Sequence, residues 1–295
     1  MKFVPAKREG VHLLIGVAGG TGSGKTYSSL RMAAGMAGNQ RFAVIDTEAR
    51  RALHYADEFT FDHLDLTPPF TPDRYIDAIV AAEEAGYPVI VVDSMSHEHA
   101  GEGGLLEWHD NELSEMVERA KKKTKEPDWV LEERFKLRAW IAPKRSHKKM
   151  LNRLLQLRSH LILCFRADPK IKMVKDDKGK TQIVDDGWHP VCEKNVPYEL
   201  TASVLVMHET PGTPTPLKVP KGLRAAFDPN VQMSEATGKA VAAWASGSNS
   251  GYDEQIANTS DKAALRQLYV TVSNDASLDE KTRSEFLEKI KTKAA

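Results

Sequence analysis

The chain has 295 residues, enough for one large core plus an appendage, because single hydrophobic cores stop growing at about 250–300 residues. Its 41 basic and 41 acidic residues cancel, so overall charge gives no electrostatic argument for a nucleic-acid or membrane partner, and any such partner has to be read from local patches. Only Cys164 and Cys192 are present, neither in a metal-ligand pair, which argues against a disulfide framework and for a reducing cytosol. Residues 1–10 lack the apolar stretch of a signal peptide, and no apolar run reaches bilayer-spanning length. The expectation is a soluble cytoplasmic protein without a membrane partner.

Short apolar, β-branched runs alternate with helical patterns through the first two thirds, the signature of βαβ units around a mostly parallel sheet. Four strands are expected at Val11 to Ala18, Phe42 to Asp46, Pro88 to Asp93 and Leu161 to Phe165, each apolar enough to be buried on both faces. Helices are expected over Lys25 to Ala37, Asp73 to Ala85 and His147 to Leu157. Between the third and fourth strands lies a charged insertion at about 94–149 with helical pattern in Leu106 to Lys123 and Trp129 to Trp140, too long for a plain loop. Ile171 to Val174 and Thr181 to Val184 read as a hairpin around the polar turn Asp176 to Lys180. Thr201 to Met207 and Thr215 to Val219 read as a second strand pair, the latter weakened by Pro216. The core then spans 1–245, followed by a flexible linker at 246–252 and a two-helix appendage over 253–295, with Ser277 and Glu280 in capping-box spacing.

Gly19-Gly20-Thr21-Gly22-Ser23-Gly24-Lys25-Thr26 is a complete phosphate-binding P-loop, with a strand before it and a helix running on through Tyr27. The glycines let the backbone turn with its amide hydrogens inward and approach phosphates closely. The helix N-terminus adds a positive dipole end, Lys25 is suited to the β- and γ-phosphates, and the Thr26 hydroxyl to Mg²⁺. ATP with Mg²⁺ is the expected cofactor pair. An acidic residue ending a neighbouring buried strand completes a Mg²⁺ site, and Val89-Ile90-Val91-Val92-Asp93 has that form. Hydrolysis also needs a group to orient or deprotonate water. Val44-Ile45-Asp46-Thr47-Glu48 delivers Glu48 just past a strand end, with Asp46 as the competing choice.

Ile45-Asp46-Thr47-Glu48-Ala49 and Val89 to Ser94 resemble the catalytic-glutamate and Walker B strands of the RecA family, in the same order relative to the P-loop. Asp93 to His99, Gly101 to Glu107 and Leu161 to Arg166 resemble the phage-encoded AAA-type ATPases with a RecA core, some of which are single-strand annealing recombination proteins. The resemblance covers roughly Val11 to Val219 and implies a RecA-like α/β fold, Glu48 as water-activating base, Asp93 as Mg²⁺ aspartate, and a homo-oligomeric ring or filament. If phage-encoded, the protein would work in the cytoplasm of a bacterial host. The family places a polar sensor at the end of the fourth strand, where this chain has Arg166 and RecA itself has glutamine. By its own chemistry Arg166 suits a γ-phosphate, a neighbouring subunit's site or a surface ion pair.

His97 lies just past the Asp93 strand, as a sensor or a plain loop histidine, and His97, His99 and His109 lack regular metal-ligand spacing. Lys170 and Lys172 are candidates to reach a neighbour's nucleotide. In the insertion, Lys121 to Lys125 and Lys144 to Lys149 are interleaved with Trp129, Phe135 and Trp140, a pattern suited to single-stranded DNA and equally to a solvated helical face. The leading reading is an ATPase acting on single-stranded DNA in phage recombination or replication. The alternatives are a nucleotide-dependent switch or assembly factor acting on a protein, and a small-molecule kinase.

Overall fold

The computed structural model of the protein describes residues 3, 10–175, 179–247, 250–274 and 280–294. In chain order its first part runs β1 (Leu14–Gly19), α1 (Lys25–Ala37), β2 (Phe42–Asp46), β3 (Phe61–Asp65), α2 (Pro72–Glu84) and β4 (Val89–Asp93). The insertion follows as α3 (Ser96–Ala100), α4 (Leu105–Lys121), α5 (Asp128–Ala139) and α6 (Ile141–Leu154). Next come β5 (His160–Lys175), β6 (Thr181–Pro190), α7 (Val196–Glu199), β7 (Ala202–Val206) and β8 (Pro214–Lys218). The chain closes with α8 (Glu235–Ala245), α9 (Ser250–Asn258), α10 (Lys262–Asn274) and α11 (Glu280–Ala294).

The sheet has the order β3-β2-β4-β5-β1-β7-β8, with β6 paired to β5 off this path. All neighbours from β3 to β7 are parallel, and β5–β6 and β7–β8 are antiparallel. Every residue of β1, β2, β4 and β7 is buried, which is why these strands read as continuous apolar runs rather than alternating ones. Their two faces feed separate cores. On one side Leu13, Ile15 and Val17 meet Leu30 and Met36 of α1 and Val241 of α8; on the other, Leu14 and Ala18 join Tyr75 and Ile79 of α2 and Met150 and Leu154 of α6. Full burial of each such aliphatic side chain stabilises by about 1.5–3 kcal/mol, so the period-two alternation fixes the register. This mostly parallel α/β core, flanked by helices and carrying the glycine loop on a central strand, is the RecA-like layout the resemblance implies.

Several expectations need correction. β3 escaped notice because Phe61-Asp62-His63-Leu64-Asp65 mixes acids into a strand at the sheet edge, where one side of the ladder meets solvent. The fourth strand and the first hairpin arm are one continuous strand, β5, and β6 pairs with it from Thr181 to Pro190, so the hairpin is a ribbon much longer than its apolar pattern suggested. Residues 176–178 of its polar turn lie outside the described residues. Helix α6 begins at Ile141 rather than His147, so the last residues of the insertion, with Pro143, Ser146 and His147 buried, form the first turns of the helix whose Met150, Leu151 and Leu154 enter the core. Pro216 sits, as its chemistry requires, in the edge strand β8.

The C-terminal appendage has three helices rather than two, around Ile256, Leu265, Leu268, Val272, Phe286 and Ile290. Helix α9 takes up residues read as linker, while Ser248 and Asn249, and Ser277 of the expected capping box, lie outside the described residues, as does most of residues 1–10. No helix among the described residues is long and apolar enough to cross a membrane.

Helices α1 and α8 approach so closely that glycine is required at the contact. A Cβ on Gly35 would fall 2.0 Å from the Glu235 carbonyl oxygen, and one on Gly238 2.0 Å from that of Met32. Gly35→Ala is therefore expected to destabilise the fold by about 1–3 kcal/mol in urea denaturation, through overpacking against backbone. At an uncrowded helix position the same change stabilises by roughly 1 kcal/mol, so the sign of the effect checks the contact.

Candidate active site

Strand β1 ends at Gly19, level with Arg166 on β5 and Val206 on β7. The loop that follows needs two of its glycines for conformation: Gly22 and Gly24 have φ of 73° and 79°, the left-handed region that disfavours side chains. Gly24 also lies against the β7–β8 turn, where the Gly212 amide donates to the Ser23 carbonyl at 2.9 Å. Inside the loop the Ser23 hydroxyl donates to the Gly20 carbonyl at 2.9 Å. Gly20 itself backs onto the Trp188 ring of β6, which a Cβ would approach to 3.2 Å. Helix α1 starts at Lys25, presenting its N-terminus and Lys25 to the same cleft.

The Thr26 hydroxyl donates to Asp93 Oδ2 at 2.5 Å, while Asp93 Oδ1 is buried with no hydrogen-bond partner among the described residues. Burial raises the Asp93 carboxyl to about 6, and the Thr26 hydrogen bond and Lys25 charge only partly oppose the shift. A hydroxyl and a carboxylate with an unsatisfied buried oxygen form an oxygen donor set that fits a hard divalent cation such as Mg²⁺.

The turn after β2 aims Glu48 into the cleft, and Asp46 holds that turn. Asp46 Oδ1 accepts from the Glu48 amide at 2.7 Å, and Oδ2 accepts from the Ala52 amide at 2.9 Å and lies 3.2 Å from His63 Nε2. Between these anchors Ala49 and Arg50 have φ of 56° and 66°, a strained conformation for non-glycine residues that the Asp46 clamp imposes. With both oxygens engaged and its side chain buried, Asp46 is committed to structure, whereas Glu48 faces the open cleft.

Glu48 is met there by Arg166, whose Nε donates to Oε1 at 3.0 Å and Nη2 to Oε2 at 2.8 Å, a two-pronged ion pair. Burial pushes the Glu48 carboxyl up, but the Arg166 hydrogen bonds and the charges of Arg166, His97 and Lys25 outweigh it, and the net shift is down. The His97 Nε2 atom is 3.9 Å from Glu48 Oε1, its Nδ1 is 2.7 Å from the Thr47 hydroxyl, and its ring stacks on Phe70 at 5.0 Å. Burial, then the Arg166 charge, lowers the His97 pKa, and the Glu48 carboxylate opposes the shift.

The sequence-selected residues Gly19 to Tyr27, Glu48, Asp93 and Arg166 line one cleft of about 610 Å³, within the usual size range of small-molecule sites. Arg51, Tyr55 and Asp168 line it too and were missed in the sequence. Arg51 and Tyr55 sit on a single 3₁₀ turn, Arg51–Tyr55, which carries no motif; the signal available was the aromatic pair Tyr55 and Phe59 just after Glu48. Tyr27 packs against both, with ring centroids 5.3 and 5.6 Å away. The other candidates lie apart from the cleft lining: His109 stacks on Trp140 at 4.3 Å, and Lys172 pairs with Asp186 at 2.6 Å within the β5–β6 ribbon. Among the described residues, no group of three His, Cys, Asp or Glu side chains is arranged to hold a metal ion.

Removing the guanidinium takes away the chief opposition to burial and leaves only the lesser charges of His97 and Lys25, so Arg166→Ala is expected to move the Glu48 pKa upward, as read by carbon NMR of the labelled carboxyl. An unmoved or lower value would contradict the pairing. Because the native Glu48 pKa is depressed, the pair's contribution to stability is present above the unfolded pKa and lost as pH falls through the folded one. Any stability deficit of the variant is thus expected at neutral pH and should vanish in acid.

A comparison with protein families matches residues 12–207 to the family described as AAA domain. No curated protein matches the chain. Among solved structures, the crystal structure of the RadB recombinase is similar at 16% identity and a TM-score of 0.31, over 68% of this chain and 75% of that one. With its P-loop on a mostly parallel sheet and two thirds of its length within the matched region, the chain belongs to the AAA domain family, whose fold supports nucleotide binding and hydrolysis.

Proposed function

We propose that this protein binds and hydrolyses ATP and acts on single-stranded DNA in phage recombination or replication, as a ring or filament of identical subunits. The observation that carries the ATPase half is the convergence of the glycine loop, Lys25, Asp93 and Glu48 on one cleft. The loop amides and the N-terminus of α1 cradle the phosphates, and Lys25 neutralises the β- and γ-phosphates. The faces of Tyr27 and Tyr55 form the apolar wall for the base. Thr26 and Asp93 hold Mg²⁺, which when bound supplies charge neutralisation at the phosphates. Glu48 orients and accepts a proton from the attacking water. In this reading Arg166 leaves Glu48 for the γ-phosphate, freeing the carboxylate at the moment nucleotide fills the cleft.

The DNA half rests on the resemblance of the Asp93 to Glu107 region to recombination ATPases and on the basic runs Lys121 to Lys125 and Lys144 to Lys149 of the charged insertion. Exposed Ile171, Met173 and Ile183 on the ribbon next to the cleft support assembly, as an apolar surface that a second copy would cover. One observation favours a second reading, a slow nucleotide switch acting on a protein: Glu48 is held by Arg166 rather than free to act on water.

Phosphate release measured with and without an oligo-dT strand separates the two. The first reading expects Mg²⁺-dependent release that rises with DNA; release indifferent to DNA would favour the switch. Lys25→Ala is expected to abolish nucleotide affinity in either case, read by titration with a fluorescent ATP analogue, and retained affinity would remove the P-loop from the account.

A further inference from the structure

From Arg134 to Ala167 the sequence contains no acidic residue, while Lys and Arg recur throughout, in a chain whose overall charge is zero. Most of this stretch forms the latter half of α5 and all of α6. Trp140 closes one helix and opens the other in helical conformation, and the Lys144 amide donates to its carbonyl at 3.1 Å, so the polypeptide passes from one to the other without a loop.

The spacing of Leu137, Ile141, Lys144, Arg145 and Lys148 places them along one side, and all are exposed. Ala139, Pro143, Ser146, His147, Met150 and Leu154 are buried on the other side. Cations at the margins of the stretch are already neutralised: Arg134 by Glu126 at 2.6 Å, Lys149 by Asp73 at 3.2 Å and Arg153 by Glu83 at 3.0 Å. Lys144, Arg145 and Lys148 have no ion-pair partner among the described residues. The other cationic run differs. Lys121 is bound to Glu118 and Asp128, and Arg119 to Glu115, so acids are interspersed with its positive charge.

On the α5 side of these free cations stand two large apolar side chains, Leu137 at 84% and Ile141 at 64% exposure, and Trp129, about two α5 turns further back, is 71% exposed. Trp140 is not available as a stacking platform, because one partner, His109, already lies against it and Lys144 approaches its ring to 5.4 Å. A duplex offers such a surface only phosphates and leaves Leu137 and Ile141 in water. A single strand offers phosphates and unstacked bases together, and so covers both kinds of group.

We propose that the α5–α6 face, through Lys144, Arg145 and Lys148 with Leu137 and Ile141, is the surface that holds single-stranded nucleic acid. This rests on the DNA reading above and gives it a location outside the nucleotide cleft. The test is a fluorescence anisotropy titration of a labelled oligo-dT strand with the full chain over a salt series. Replacing Lys144, Arg145 and Lys148 together by Ala is expected to weaken binding about tenfold or more at low salt, and to flatten the log–log salt slope by about 2, from three lost phosphate contacts at roughly 0.7 each. Thermal unfolding midpoints equal to wild type verify that the variant is folded. Leu137→Ser with Ile141→Ser is expected to weaken oligo-dT while leaving the salt slope intact, and replacing Lys121, Lys122 and Lys123 by Ala to have the smaller effect.

A triple variant that binds oligo-dT as wild type does, with the same slope, overturns this surface and leaves the DNA reading standing. A wild-type chain that binds no oligo-dT overturns the DNA reading itself. Tighter binding to a duplex of equal length overturns the single-strand assignment, and sedimentation with phosphatidylserine vesicles without oligo-dT binding overturns it in favour of a membrane surface.

Discussion

Thr47 fastens the end of β2 to the end of β4, and the candidate site depends on that tie. The Thr47 amide donates to the Asp93 carbonyl at 2.8 Å, and the Ser94 amide donates to the Thr47 hydroxyl at the same distance. Tyr75, buried in the core, donates its hydroxyl to the Ser94 carbonyl at 2.9 Å and braces the junction from α2. Two carboxylates therefore leave neighbouring strands at a fixed offset, Asp93 toward Thr26 and Glu48 toward the open cleft. Parallel strands buried on both faces make this possible, since their C-terminal ends share one edge and β5, between β4 and β1, sets Arg166 level with Gly19.

The electrostatics follow from that placement. Asp93 is desolvated and left with an unsatisfied oxygen, a costly arrangement in isolation that a cation relieves. Glu48 is desolvated too, but Arg166 overcompensates, so the two acids of the cleft are pushed in opposite directions. Arg166 also begins the ribbon. β5 carries it straight from the cleft into the exposed β5–β6 arms, and β6 returns Trp188 against Gly20, so both ends of the ribbon rest on the phosphate loop.

Much of this was legible in the sequence because it was written in strong local signals. Four apolar runs gave the buried strands, and the glycines of the P-loop announced positive φ angles and a close approach. Glu48 and Asp93 were marked by their position just past, or at, the ends of such runs. What stayed hidden depended on tertiary context. β3 lacks apolar continuity because it is an edge strand; Tyr55 and Arg51 reach the cleft only because the Asp46 clamp folds the following turn back. The pairing of Glu48 with Arg166 joins residues far apart in sequence through sheet register, which no local pattern encodes. The third C-terminal helix was masked by a Ser- and Gly-rich start that reads as linker.

The central claim is that this cleft turns over ATP with Glu48 acting on water. Single-turnover hydrolysis by wild type and Glu48→Gln at saturating Mg²⁺-ATP, with bound nucleotide quantified in the same samples, tests it most directly. The account predicts equal occupancy and a fall in the hydrolysis rate of about 10²–10⁴-fold, the contribution typical of a positioned general base. Equal occupancy with an undiminished rate would contradict it and move the water-activating role away from Glu48.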